Sequence, residues 1–259
     1  MTLNSTNGTV GISAPVKVSS NDTPGGGVPI RKSNAGGKIN VQSNVPTGVA
    51  INITNTGQLL SLLDATAAGP GGKITILATG TNSRIQVNGD TGSAGTPPID
   101  TIRADGAGGT VEIRHTGSAG IVALTNPQIS AETVKIGALG ANGTLTIGGG
   151  RINADTLLQL YATGSNGSVV FVSDVLLDGN SMKLIAGNTV TVQNNVVVEV
   201  GGPHADVYVA DLNHANYSNF SGGNNTTSGR FIEKGSAGSP VNGANTHFGP
   251  PPPPPFGGH

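Results

Sequence analysis

Cysteine and tryptophan are absent from this chain, and charged and aromatic side chains are scarce. Without cysteine there can be no disulfide framework, no zinc–thiolate centre and no thiol nucleophile. Charged residues fill 10% of the 259 positions, against about a quarter in an ordinary globular domain, so other residues must coat the surface. The formal net charge is −1 and no Lys- or Arg-rich run occurs, which removes the electrostatic footprint of a nucleic-acid binder. No apolar run approaches the roughly 20 residues of a membrane-spanning helix. The first residues, Met1-Thr-Leu-Asn-Ser-Thr-Asn-Gly, carry neither the basic start nor the apolar stretch of a signal peptide. The expectation is a chain that begins after processing or belongs to something longer. Aromatics at 3% suit a narrow core of small aliphatic side chains stacked in rows.

What fills the chain is glycine, at 42 residues, with Asn, Ser and Thr, and a 35% hydrophobic fraction drawn mostly from Val, Ile, Leu and Ala. The β-branched share favours strands. The stretch from Ile129 to Val200 repeats visibly. Ile129-Ser-Ala-Glu132-Thr133 leads to Gly140-Ala-Asn142-Gly143-Thr144-Leu145-Thr146-Ile147, and Ile152-Asn-Ala-Asp155-Thr156 leads to Gly164-Ser-Asn166-Gly167-Ser168-Val169-Val170-Phe171. Ala131 to Ala154 is a step of 23 residues and Asn142 to Asn166 a step of 24. A fixed period of this size with short strands and Asn-Gly corners predicts a solenoid, each repeat one turn stacked on the last.

A shorter motif, glycine then a polar residue then apolar-x-apolar, recurs along the chain. Its apolar members are Ile39 and Val41, Ile74 and Ile76, Val111 and Ile113, Leu145 and Ile147, Val169 and Phe171, and Val190 and Val192. Such alternation is a strand with one buried face, so these twelve residues are the expected solenoid core on one inner wall. The glycines that open the motif are Gly37, Gly72, Gly109, Gly143, Gly167 and Gly187. Their wide early spacing and close late spacing read as early turns with inserted loops and late turns nearly bare. The expected architecture is all-β, a right-handed parallel β-helix (β-solenoid) over 36–202. It is preceded by an irregular arm or cap at 1–35 and followed by an extended low-complexity tail at 203–259. The alternations Thr9-Val10-Gly11-Ile12 and Val16-Lys17-Val18 fit irregular first turns as well as a cap. The Leu-rich stretch from Thr56 to Ala68 reads equally as a short helix or a strand. Six of the eight aromatics lie in the tail: Tyr208, Tyr217, Phe220, Phe231, Phe248 and Phe256. Spaced among Gly and Asn, and around the run Pro250–Pro255, they are candidate anchors for assembly with another copy.

Candidate chemistry is sparse. The densest charge cluster is Asp100, Arg103, Asp105, Glu112, Arg114 and His115. An enzyme acting on polysaccharide predicts that Asp100, Asp105 and Glu112 converge in a groove; the plainer reading is a solvated loop with weak ion pairs. His115, His204, His214, His247 and His259 show no metal-ligand spacing. The stretch Gly69-Pro-Gly-Gly72-Lys73-Ile74 fails as a phosphate loop, because Ala67 and Ile74 stand where Gly and Ser or Thr are needed. No catalytic residue, metal ligand or cofactor is therefore expected. The outward pairs Thr144 with Thr146 and Thr189 with Thr191 are too isolated for a full threonine array.

The segments Ser130-Ala-Glu-Thr133, Leu139-Gly-Ala-Asn-Gly143, Asn153-Ala-Asp-Thr156, Gly164-Ser-Asn-Gly167 and Ile185-Ala-Gly-Asn-Thr-Val-Thr-Val192 resemble the β-helical repeats of large bacterial exoproteins of the filamentous-haemagglutinin type. The resemblance implies a right-handed parallel β-helix, secretion, and work as a surface fibre or adhesin. The expected function is thus an extracellular structural solenoid that assembles with copies of itself. The alternative is a glycan- or host-surface-binding module, for which the inserts around 79–101 are the natural binding loops. An enzyme is a more distant third.

Overall fold

The structure, a computed structural model, describes residues 1–19, 36–62, 70–93, 97–193, 196–201, 206–211, 230–233 and 246–247. Among them there is no helix; the chain winds as successive three-strand turns. The first turn is β1 (Thr2–Ser5), β2 (Val10–Ile12) and β3 (Pro15–Ser19), and the second is β4 (Lys38–Ser43), β5 (Thr47–Ile53) and β6 (Gln58–Leu62). The third is β7 (Lys73–Ala78), β8 (Asn82–Asn88) and β9 (Ile102–Ala104). The fourth holds β10 (Thr110–His115), β11 (Ile121–Thr125) and the start of β12 (Gln128–Ala138). From there single strands bridge consecutive turns: the end of β12, then β13 (Thr144–Gly148), then the start of β14 (Arg151–Ala162). The sixth turn takes the end of β14, β15 (Ser168–Ser173) and the start of β16 (Val175–Ala186). The seventh takes the end of β16, β17 (Thr189–Val192) and β18 (Val197–Gly201). Beyond it the backbone continues the pattern through β19 (Asp206–Asp211), β20 (Arg230–Glu233) and β21 (Thr246–His247).

Every pairing among these strands is parallel. The result is a parallel β-helix of three faces. The first face runs from β1 through β4, β7 and β10; the second is the seven-stranded sheet from β2 to β17; the third runs from β3 through β6 and β9 to β18 and β20. Because β12, β14 and β16 pass from the third face onto the first, hydrogen bonding joins those two faces into one sheet. The joining corner lies inside each strand. One residue of β12 (Glu132) stands there opposite two of β14 (Asp155 and Thr156), and β16 again has one (Asn180).

All twelve expected core residues point inward, and none is more than 8% exposed. The expectation of a single wall needs correction, however. Ile39 and Val41, Ile74 and Ile76, and Val111 and Ile113 stack on the first face, with Val41 opposite Ile76 and Ile76 opposite Ile113. Leu145 and Ile147, Val169 and Phe171, and Val190 and Val192 stack instead on the second face. The step from Gly109 to Gly143 is therefore a full turn plus a move to the next face. A glycine corner precedes strands on both faces, so their local sequences look alike. The bare turn is the step that sets Thr110 opposite Thr133 and Thr133 opposite Leu157. Earlier turns are longer, as in Lys38 opposite Lys73.

The corner between first and second faces explains the glycine content. Gly117, Gly140 and Gly164 each open a tight turn closed by the N–H of the residue three ahead, at 3.2, 2.9 and 2.8 Å. These turns stack so closely that a Cβ on Gly117, Gly140, Gly164 or Gly187 would strike the carbonyl oxygen of the glycine one turn below. Any side chain here would push successive turns apart. Asn142 adopts φ 57° in this corner and accepts a hydrogen bond from the Asn166 side-chain amide at 2.7 Å.

Two expectations change at the N-terminal end. The alternations Thr9–Ile12 and Val16–Val18 belong to a regular first turn, with β2 on β5 and β3 on β6. Gln58–Leu62 of the Leu-rich stretch is strand β6 and not helix, its pattern adopted because Leu59 fills a core position; residues 63–69 lie outside the described residues.

Candidate functional site

The third face carries a cleft among the described residues. It is made by an insert, residues 89–101, that leaves the second face after β8 and returns as β9. Both ends of the insert are tied down. At its start the Gly89 N–H donates to the Thr125 carbonyl at 2.8 Å; at its end the Leu59 N–H donates to the Thr101 carbonyl, and the Thr101 N–H to the Gln128 carbonyl, both at 2.8 Å. Gln58 Nε2 donates to the Asp100 carbonyl at 2.7 Å, and across the insert the Ile99 N–H donates to Asp90 Oδ2 at 3.2 Å. The insert does not stay at its own turn. Asp90, Thr91, Pro97, Pro98 and Asp100 form one wall of a cleft of about 610 Å³, whose floor is Gln128, Ser130, Arg151, Asn153 and Leu176 from the next three turns.

The floor follows from strand periodicity. Ile129, Ala131, Ile152, Ala154 and Leu177 point into the core, so the residues between them face out. Register stacks Gln128, Arg151 and Leu176 in one row and Arg103, Ser130, Asn153 and Asp178 in the next. Charges in these rows are mutually engaged. Arg151 Nη2 lies 2.7 Å from Asp178 Oδ2. Arg103 pairs through Nε with Asp105 at 2.5 Å and through Nη1 with Asp100 at 3.3 Å. The hydrogen bond to Asp105 is the main reason that the Arg103 pKa is raised. Asn153 Nδ2 donates to Asp155 Oδ1 at 3.1 Å. The arrangement is a ladder of amide, hydroxyl, guanidinium and carboxylate groups beside two prolines and a leucine. It can hydrogen-bond a polar ligand and offer it apolar contact.

The charge cluster picked out in the sequence is split three ways. Asp100, Arg103 and Asp105 meet at the edge of the third face. Glu112 and Arg114 sit on the first face, where Glu112 lies 3.6 Å from Lys73 and 3.4 Å from Arg114. Of the three carboxylates expected of a polysaccharide-cleaving enzyme, Asp100 and Asp105 thus share the edge of the third face while Glu112 stands on the first. His115 is not in a solvated loop but fully buried. Its Nδ1 accepts the Gly117 N–H at 3.2 Å, so Nε2 carries the proton and donates to Ser83 Oγ at 2.8 Å. Ser83 in turn donates to the Gly80 carbonyl at 3.2 Å. A histidine donating to serine cannot take its proton, so the pair braces a corner and activates no nucleophile. Among the described residues, no group of three or more His, Asp and Glu is placed to hold a metal ion.

Of the six candidate assembly aromatics, the backbone places Tyr208 in β19 opposite Lys183 and His247, and Phe231 in β20 opposite Val198. Tyr217, Phe220, Phe248 and Phe256 lie outside the described residues. The threonine pairs stack with Ser168 and Val170 between them, which breaks the array. Gln128, Ser130, Arg151 and Asn153 were not singled out in the sequence, although their alternation with Ile129, Ala131, Ile152 and Ala154 marks them as outward.

Fold and site together define a parallel β-helix protein with an insert-walled polar cleft on one face. No protein-family model, no curated protein and no solved structure matches the chain.

Proposed function

We propose that this protein is a β-solenoid binding module that holds a linear glycan on its third face, at a bacterial cell surface or outside the cell. The observation that carries the reading is the insert between β8 and β9, whose described residues, 89–93 and 97–101, are pinned at both ends and line a polar cleft together with residues of the next three turns. A loop that only joined β8 to β9 would need only a few residues. The floor offers paired hydrogen-bonding groups in repeating rows, the kind of surface that matches hydroxyl-rich polymers. The likeness of 129–202 to haemagglutinin-type repeats supports a surface role. Screening the full chain on an immobilised glycan array tests the proposal. Binding is expected to fall at least about tenfold for Asn153→Ala and when 91–99 is replaced by a short Gly-Ser link. Unchanged binding in both variants, or no glycan retained, would overturn it.

A second reading is a structural one, in which copies stack end to end as a fibre. Among the described residues, β1, β2 and β3 each pair on one side only, and such an edge can accept another strand. The Thr54 N–H donates to the Ile12 carbonyl, so the peptide groups of Gly11 point the other way, to the open edge. Gly11→Pro removes one edge donor without touching the inner ladder. If fibres form, negative-stain microscopy should show them shortened or lost in this variant.

A further inference from the structure

We infer that the chain bound in this cleft runs along the solenoid axis, across the strands, with one sugar ring per turn, and that the site selects an uncharged glycan over a uronate. The inference rests on the glycan-binding reading above and specifies its ligand.

Direction comes from how the floor repeats. Asn126 and Gly150, which lie just before the third-face strands begin, also line the cleft, so the cleft lies over the strand starts. Along the axis its floor repeats: Gln128, then Arg151, then Leu176, each directly opposite the next in register. Adjacent parallel strands are about 4.8 Å apart, close to the length that one pyranose ring adds to an extended chain. Each ring would meet one member of that row and one of the row beside it, Ser130, Asn153 or Asp178.

Charge selection follows from the balance of groups at the cleft. Asp90 and Asp100 stand in the wall. The cationic groups beside them are already engaged, Arg151 by Asp178 and Arg103 by Asp100 and Asp105. Asp155 extends the acidic side past Asn153. Five carboxylates against two guanidiniums, in the cleft lining or paired beside it, leave its surroundings negative, a field that salt screens beyond about 8 Å at physiological strength. A polyuronate would be repelled; a neutral chain would not.

Titration calorimetry of the full chain tests this with neutral oligomers of glucose, xylose and N-acetylglucosamine of one to six units, and with oligogalacturonates of equal length. For at least one neutral series, affinity should climb steeply to three units and then change less than about threefold. Gln128→Ala and Leu176→Ala, at opposite ends of the row, should each remove the gain from the third unit. Affinity that does not depend on length, or that the two end variants leave alone, would overturn the axial direction while leaving a glycan-binding module standing. Tighter binding of the uronate series would overturn the charge selection. No binding in any series would remove the glycan reading itself.

Discussion

His115 shows how a residue that looks reactive in the sequence becomes structural. Burial pushes its pKa below the ordinary imidazole value of 6.5, because the interior disfavours the cation. The folded state thus refuses a proton that the unfolded chain accepts. Its stability contribution is complete above pH 6.5 and is lost as pH falls from there towards the lower folded value. Denaturant midpoints measured from pH 8 to pH 5 should fall in the native chain, and His115→Gln should flatten that slope while costing stability at pH 8. Tyr161 makes the opposite case. It occupies an outward position of the first face, yet it is fully buried against Ile185 and Leu139. Among the described residues its hydroxyl has no hydrogen-bond partner, and burial raises its pKa strongly. An unmade buried hydrogen bond costs about 1–3 kcal/mol, so Tyr161→Phe should raise stability in urea titrations by on the order of 1 kcal/mol. A loss instead would mean that the hydroxyl has a partner in solution.

At the scale of the strand, the inward row tolerates little and the corner tolerates more. Ile113 and Ile147 are fully buried, and truncation to alanine should cost about 2–5 kcal/mol each. Deletions separate row from corner more sharply. β14 carries two corner residues, Asp155 and Thr156, where β12 and β16 carry one. Deleting Thr156 makes the corner like its neighbours and should leave a folded protein with similar circular dichroism and melting. Deleting Gln159, three residues on, reverses the facing of every residue between it and one end of the strand segment. That variant should aggregate or lose its cooperative transition. If both deletions behave alike, the corner is not the slack element.

For the whole molecule, stacking makes stability a sum of turns and turn-to-turn contacts. Among the described residues, the first turn has neighbours on one side only and contributes one buried apolar residue, Ile12. The turns from β10 to β15 have neighbours on both sides and an unbroken apolar column. Hydrogen exchange should therefore be fastest in β1–β3 and slowest in β10–β15, in graded steps. Uniform protection throughout would show that the rod unfolds as a single unit.

The class of fold, stacked turns around an apolar column, was legible in local pattern. A short constant period, apolar alternation and recurrent glycines leave few options besides stacked turns, because each pattern is local and each strand carries it. What local pattern cannot convey is which face a strand occupies. The pair Val111 and Ile113 reads as the same element as the pair Leu145 and Ile147, and only hydrogen-bonded register put them on different walls. The site was hidden for the same reason. Gln128, Arg151 and Leu176 are separated by a full turn each, and the insert that walls them belongs to an earlier turn. Their adjacency exists only once the turns are stacked. The charge cluster failed in reverse: residues near in sequence, Asp105 and Glu112, were carried to different faces by the corner between them.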